Sequence, residues 1–170
     1  MTRIICDTRE KPRAIVKILD TFDRRGIEVV HRALPFCDYR DPDWRDLEGH
    51  RIKHPGLLEP VVDRKANLGE VCLNMVQGRA RFLRMIERAH NADCWPIILV
   101  EHSNRIKTLE DVIDWQNPRL KVSPYALNGE RLYKIMKATA EHHGFSWEFC
   151  DKLHTGEKII ELLSQPVLPF

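Results

Sequence analysis

The segment Trp95-Pro96-Ile97-Ile98-Leu99-Val100 is apolar almost without interruption and stops abruptly at Glu101-His102. A strand with one wet face alternates apolar and polar residues; one that is apolar throughout must be covered on both faces, which places it centrally in a sheet with helices packed on either side. The segments around it agree. Arg3-Ile4-Ile5-Cys6 is a short apolar run delivering Asp7-Thr8-Arg9-Glu10 at its C-terminal end. Pro12 then opens a helical period through Ala14, Ile15, Ile18, Leu19 and Phe22, which Gly26 closes. Strands are predicted at Ile27–Val30, beside Asp38 after the Pro35–Cys37 turn, at Glu59–Lys65 and at Ser146–Cys150. One long helix is predicted from Leu68 to Ala89 and another from Gly129 to His143, with a short helical stretch from Thr108 to Trp115 and a last helix capped by Thr155. Residues 40–58 mix charge with Pro and Gly and read as a solvent-exposed hairpin loop. Strands and helices in alternation, with a meander between Ile27 and Lys65, predict an α/β fold: a mixed central sheet flanked by helices.

The 170 residues are 43% hydrophobic and 31% charged, enough apolar material for one core spanning 1–170 and too much for a disordered or fibrous chain. No run of about 18 apolar residues occurs, and Met1-Thr2-Arg3-Ile4-Ile5-Cys6-Asp7 becomes charged before a signal core could form, so no membrane partner and a cytoplasmic location are expected. Cys6, Cys37, Cys72, Cys94 and Cys150 form no Cys-x-x-Cys pair and sit mostly in apolar segments, as free thiols do in a reducing compartment. A net charge of +2 does not by itself mark a nucleic-acid partner, so any contact with DNA must come from a local patch.

The chemistry-bearing pattern lies in the meander. Asp38 and Asp63 fall on adjacent predicted strands, and the period of two along a strand points Asp63 and Lys65 to the same side. Two carboxylates can hold a magnesium ion, which binds through one or two acids plus water and phosphate oxygens. Such an ion neutralises a phosphodiester and makes water nucleophilic at neutral pH. An acid followed by acid-x-Lys resembles the PD-(D/E)xK nuclease superfamily. The order Asp7-Thr8-Arg9-Glu10, Cys37-Asp38-Tyr39, Asp63-Arg64-Lys65, Gly78-Arg79 and Ile98-Leu99-Val100-Glu101 resembles, more narrowly, the XPF family of structure-specific endonucleases, and the likeness extends through Trp147–Leu163. It departs from that family at three places: Cys37 stands for the usual Gly, Asp63 for the usual Glu, and Gly69 for the late acid, with Glu70 one residue beyond. The tandem helix-hairpin-helix module of many members is not seen, as in the compact nuclease-only members of bacteriophages and prophages.

This resemblance implies a restriction-endonuclease-like fold and a Mg²⁺- or Mn²⁺-dependent endonuclease acting on branched DNA such as flaps, forks or junctions. Products would carry 5′-phosphate and 3′-hydroxyl ends, and the chain would form a homodimer. The implied metal ligands are Asp38, Asp63 and the backbone carbonyl of Arg64, with Lys65 assisting water attack and Glu10 and Asp7 close by. Arg9, Arg64, Arg79 and Arg81 are the candidate DNA contacts, within a dense basic neighbourhood that includes Arg84 and Arg88. Arg79 falls in the apolar register of its helix, which aims it at the site.

Each residue also has a plainer reading. Asp63 and Lys65 are chemically an ordinary strand ion pair. Glu70, three residues after Asn67, completes a helix cap. Asp7 and Glu10 can punctuate a strand-to-helix turn, although charge beyond the C-terminal end of a buried strand is a common active-site position. The arginines can be a solvated helix face. His50 and His54 have i, i+4 spacing but sit beside Pro55 and Gly56, outside any helix, which argues against a metal role. The competing function is a catalytically silent DNA-binding or scaffolding subunit, against which stands the retention of Asp38, Asp63 and Lys65 together.

Overall fold

A computed structural model describes residues 1–45, 56–102 and 105–168. Six strands form one sheet in the order β2-β1-β3-β4-β5-β6. They are β1 (Arg3–Asp7), β2 (Glu28–Arg32), β3 (Tyr39–Arg40), β4 (Glu59–Lys65), β5 (Cys94–Glu101) and β6 (Ser146–Cys150). β3 is antiparallel to both of its neighbours, while β1 runs parallel to β2, and β4, β5 and β6 run parallel to one another. A mixed sheet flanked by helices is therefore what the chain forms, with the apolar run as an interior strand buried at every position.

Helices α1 (Pro12–Arg24) and α5 (Thr155–Leu163) cover one face, and α2 (Leu68–Val76), α3 (Arg79–Asn91) and α4 (Gly129–His143) the other. The strand period sorts β5 between the two layers: Ile97 and Leu99 join the α1/α5 core, Ile98 and Val100 the α2/α3/α4 core. Pro12 at the first position of α1 costs no hydrogen bond there, and Gly26, at φ 65°, makes the left-handed turn into β2. All five cysteines are free, and Cys6, Cys37, Cys72 and Cys94 are buried.

Four expectations are corrected. The helix predicted from Leu68 to Ala89 is two helices: the chain breaks at Gln77-Gly78, where the Gly78 N–H donates to Leu73 C=O, five residues back. A continuous apolar stripe concealed the break because both halves bury the same face, although Val76 at the junction is 58% exposed. Residues 40–45 are not a solvent-exposed loop: Trp44 is buried, and Arg40 and Arg45 both ion-pair with the buried Glu59. Residues 46–55 of that loop, with His50 and His54, lie outside the described residues. Thr155 does not cap α5; it is the first helical residue, and its hydroxyl turns inward to Glu101. The Thr108–Trp115 stretch is a 3-10 turn over Glu110–Asp114.

Candidate active site

Strand direction assembles the site. The C-terminal ends of β1, β4 and β5 lie at one edge of the sheet, and β3, running the opposite way, starts at that edge. Tyr39 pairs with Cys6 on one side and Val62 on the other, so one further step brings Asp38 level with Asp63. The Asp38 backbone is fixed twice: its N–H donates to Val62 C=O at 2.8 Å and its C=O accepts from Asp7 N–H at 2.8 Å. Its side chain is aimed by the Arg64 N–H, which donates to Asp38 Oδ2 at 2.8 Å. The residue before it, Cys37, sits at φ 55°, a left-handed conformation that favours glycine.

Asp63 and Lys65 project to the same side, where Lys65 Nζ lies 2.5 Å from Asp63 Oδ2. Both are nearly closed to solvent, at 7% and 8% exposure. Asp63 Oδ2 is buried, and the Lys65 ammonium is the group that meets it among the described residues. Burial pushes the Asp38 carboxyl well above the usual carboxylate range, and the charges of Asp63 and Glu10 push it further against a partial offset from Lys65 and the Arg64 N–H. Burial alone would lower Lys65; Asp63 and Asp38 outweigh it and hold the ammonium more firmly protonated than usual.

These groups line a single open cleft of about 560 Å³, with Arg9 and Glu10 on one wall and α2 and α3 on the other. From α2 come Glu70, Leu73 and Asn74, and from α3 Arg81, Phe82, Met85 and Arg88. Arg81, Met85 and Arg88 follow i, i+4, i+7 spacing, so one stripe of α3 faces the cleft with an exposed arginine at either end. Arg88, expected only as part of the basic neighbourhood, lines the cleft with Arg81, and the seven-residue offset between them is the signal for it.

The structure redistributes the other arginines. Arg79 is exposed and donates to Thr139 of α4 rather than reaching the cleft; as the first residue of a new helix it no longer follows the register of the segment before it. Arg64 turns to the opposite side from its strand neighbours, and its guanidinium, 7% exposed, is held between Glu10 at 2.8 Å and Glu101 at 3.2 Å. Arg9 stays at the cleft with its guanidinium 60% exposed. Asp7, by contrast, does not line the cleft. It is fully buried and accepts from the Arg9 N–H, Nε and Nη2 and from the Leu34 N–H. Burial would raise its carboxyl, but these four donors outweigh burial and hold it below the usual range.

Glu70 completes the cap and also lines the cleft: its N–H donates to Asn67 Oδ1 and its Oε2 accepts from the Ala66 N–H at 2.8 Å. Gly69, in the place of the late acid, has a physical fit: a Cβ there would stand 2.9 Å from the capping oxygen of Asn67.

Among the described residues, no cluster of three or more His, Cys, Asp or Glu side chains is arranged to hold a metal unaided. Two carboxylates whose charges oppose each other suit an ion that takes most of its ligands from water and phosphate.

No family model and no curated protein matches the sequence. Among solved structures, XPF from Aeropyrum pernix in complex with DNA superimposes with a TM-score of 0.60 at 19% identity, over 96% of this chain and 64% of that one. The fold is that of XPF. A second structure of XPF from Aeropyrum pernix gives a TM-score of 0.55 at 18% identity, over 95% of this chain and 63% of that one. The chain thus has an XPF-like fold and spans under two thirds of the length of the XPF chains it matches. None of its described helices is long and apolar enough to cross a membrane.

Proposed function

We propose that this chain is a divalent-metal-dependent endonuclease hydrolysing phosphodiester bonds in branched DNA. The observation that carries the reading is the meeting of Asp38, Asp63 and Lys65 in one cleft, two carboxylates with the Lys65 ammonium against Asp63 Oδ2. The XPF-like fold and the DNA bound by its Aeropyrum pernix counterpart support DNA as the polymer.

Asp38, Asp63 and the backbone carbonyl of Arg64 would hold Mg²⁺ or Mn²⁺, which when bound supplies a more acidic water and neutralises phosphate charge. The chain's own groups do the rest. Lys65, protonated beside Asp63, presents a donor to the phosphate or to the attacking water. Glu10 Oε2 accepts from Tyr39 Oη at 3.2 Å and Arg64 Nε at 2.8 Å, which fixes one carboxylate oxygen and leaves the side chain on the cleft wall. Arg9, Arg81 and Arg88 flank the acids and bind the phosphate backbone, a contact that positions DNA without reading its bases. Branched substrates and a homodimeric assembly complete the proposal by the XPF likeness.

The test is incubation of purified protein with Mg²⁺ or Mn²⁺ and labelled flap, fork, junction and linear duplexes, beside Asp38→Asn and Lys65→Ala. Cleavage of branched DNA lost by at least about a hundredfold in both variants is expected. Cleavage indifferent to both substitutions rejects the site; binding without cleavage by the unaltered protein leaves a scaffolding subunit.

A further inference from the structure

Glu101 closes the apolar strand β5 with a carboxylate only 5% exposed, and the reaction outlined above makes no use of it. An acid is costly to bury unless its oxygens are matched, and here both are. Oε2 lies 3.2 Å from Arg64 Nη1, and Oε1 accepts from Thr155 Oγ1 at 3.0 Å. Thr155 is itself 1% exposed and is the first residue of α5. The far side of the same guanidinium reaches the cleft, where Arg64 Nε donates to Glu10 Oε2. The backbone N–H of Arg64 meanwhile donates to Asp38 Oδ2. One residue thus aims two cleft acids, Glu10 through its fork and Asp38 through its amide. Only one end of the fork is held from the cleft side; the other is held by Glu101.

On the endonuclease reading, we infer that Glu101 is a positioning residue, which, braced by Thr155, fixes the Arg64 guanidinium and through it the carboxylate of Glu10. A guanidinium shared by two carboxylates is locked in one rotamer. Without the charge of Glu101 it is free to swing toward Glu10 and engage both of its oxygens, taking that acid out of the cleft. Glu101 touches neither DNA nor the reacting atoms.

Steady-state cleavage of labelled branched DNA by wild type, Glu101→Gln, Arg64→Lys and the double variant tests the inference, together with hydrogen exchange of the Arg64 Nε–H followed by ¹⁵N NMR. Expected in Glu101→Gln are a kcat about tenfold lower at unchanged KM and faster exchange at Arg64 Nε. The double variant should be no slower than the slower single one, since both changes break one path. Wild-type kcat in Glu101→Gln, or losses that multiply in the double variant, overturns it. Should Glu101→Gln not fold, Thr155→Val, which removes a single hydroxyl from the same path, carries the test with the same expected split between kcat and KM. If the wild type cuts no DNA, the endonuclease reading fails, and the Arg64 exchange decides alone: acceleration in Glu101→Gln upholds the positioning role, and an unchanged rate ends it.

Discussion

At the scale of single residues, the molecule separates charges that serve the cleft from charges that serve the fold, and the two respond oppositely to substitution. Asp38 is held in a place where its ionised form is disfavoured by burial, by Asp63 and by Glu10. A folded-state pKa raised above the ordinary value means that the ionised carboxyl costs stability at neutral pH. Asp38→Asn should therefore raise metal-free stability by on the order of 1 kcal/mol in denaturant unfolding at pH 7, even as it removes cleavage. An unchanged or lower stability would show that the repulsion is already relieved. Asp7 behaves in the reverse sense. Its carboxyl is held below the ordinary value, so its contribution is complete above the unfolded value of 3.8 and disappears as pH falls through the folded one. Asp7→Ala should cost about 2 kcal/mol at pH 7, since the Leu34 and Arg9 amides lose their acceptor. The gap to wild type, followed by urea unfolding across pH, should close below pH 3.8.

At the scale of elements, the legible parts were those whose pattern is set by their own residues. β4, β5, β6 and α4 were all readable from period, cap and glycine, and the pairing of Asp63 with Lys65 followed from strand alternation. What escaped was decided by contacts between elements. Nothing local reveals that Arg40 and Arg45 converge on Glu59, that Arg79 reaches Thr139, or that Thr155 answers Glu101. The left-handed backbone of Cys37 is signalled only by the glycine that the resembled family carries there. Glycines make the same point as close-approach sites. A Cβ on Gly129, the first residue of α4, would stand 2.4 Å from Val112 O and 2.5 Å from Ile113 O, both backbone atoms. Gly129→Ala should cost about 2–3 kcal/mol, read as a fall in melting temperature, with α4 forced off the 3-10 turn before it. Gly78, whose Cβ would stand no closer than 3.4 Å to Asn74 and Leu73, should accept alanine within about 0.5 kcal/mol.

For the whole molecule, a divalent ion that binds the folded chain alone raises its stability in proportion to the logarithm of its concentration. Titrating Mg²⁺ or Mn²⁺ should therefore raise the melting temperature of the wild type progressively and leave Asp63→Asn nearly flat. Equal rises in both would move the ion elsewhere. How the sheet is divided also explains why the site could be foreseen only as a meeting of distant parts. Asp38 and Glu10 belong to the β2-β1-β3 half, Asp63 and Lys65 to the β4-β5-β6 half.

The seam between those halves is β3, a strand of just two residues. On a ribosome, the amino-terminal acids emerge well before the lysine they work with, and only when this small clasp engages on both flanks do they share one pocket. A chain half made therefore carries some of the cleft's acids without their companions, and the pocket exists only once β3 is clasped by β1 and β4 together.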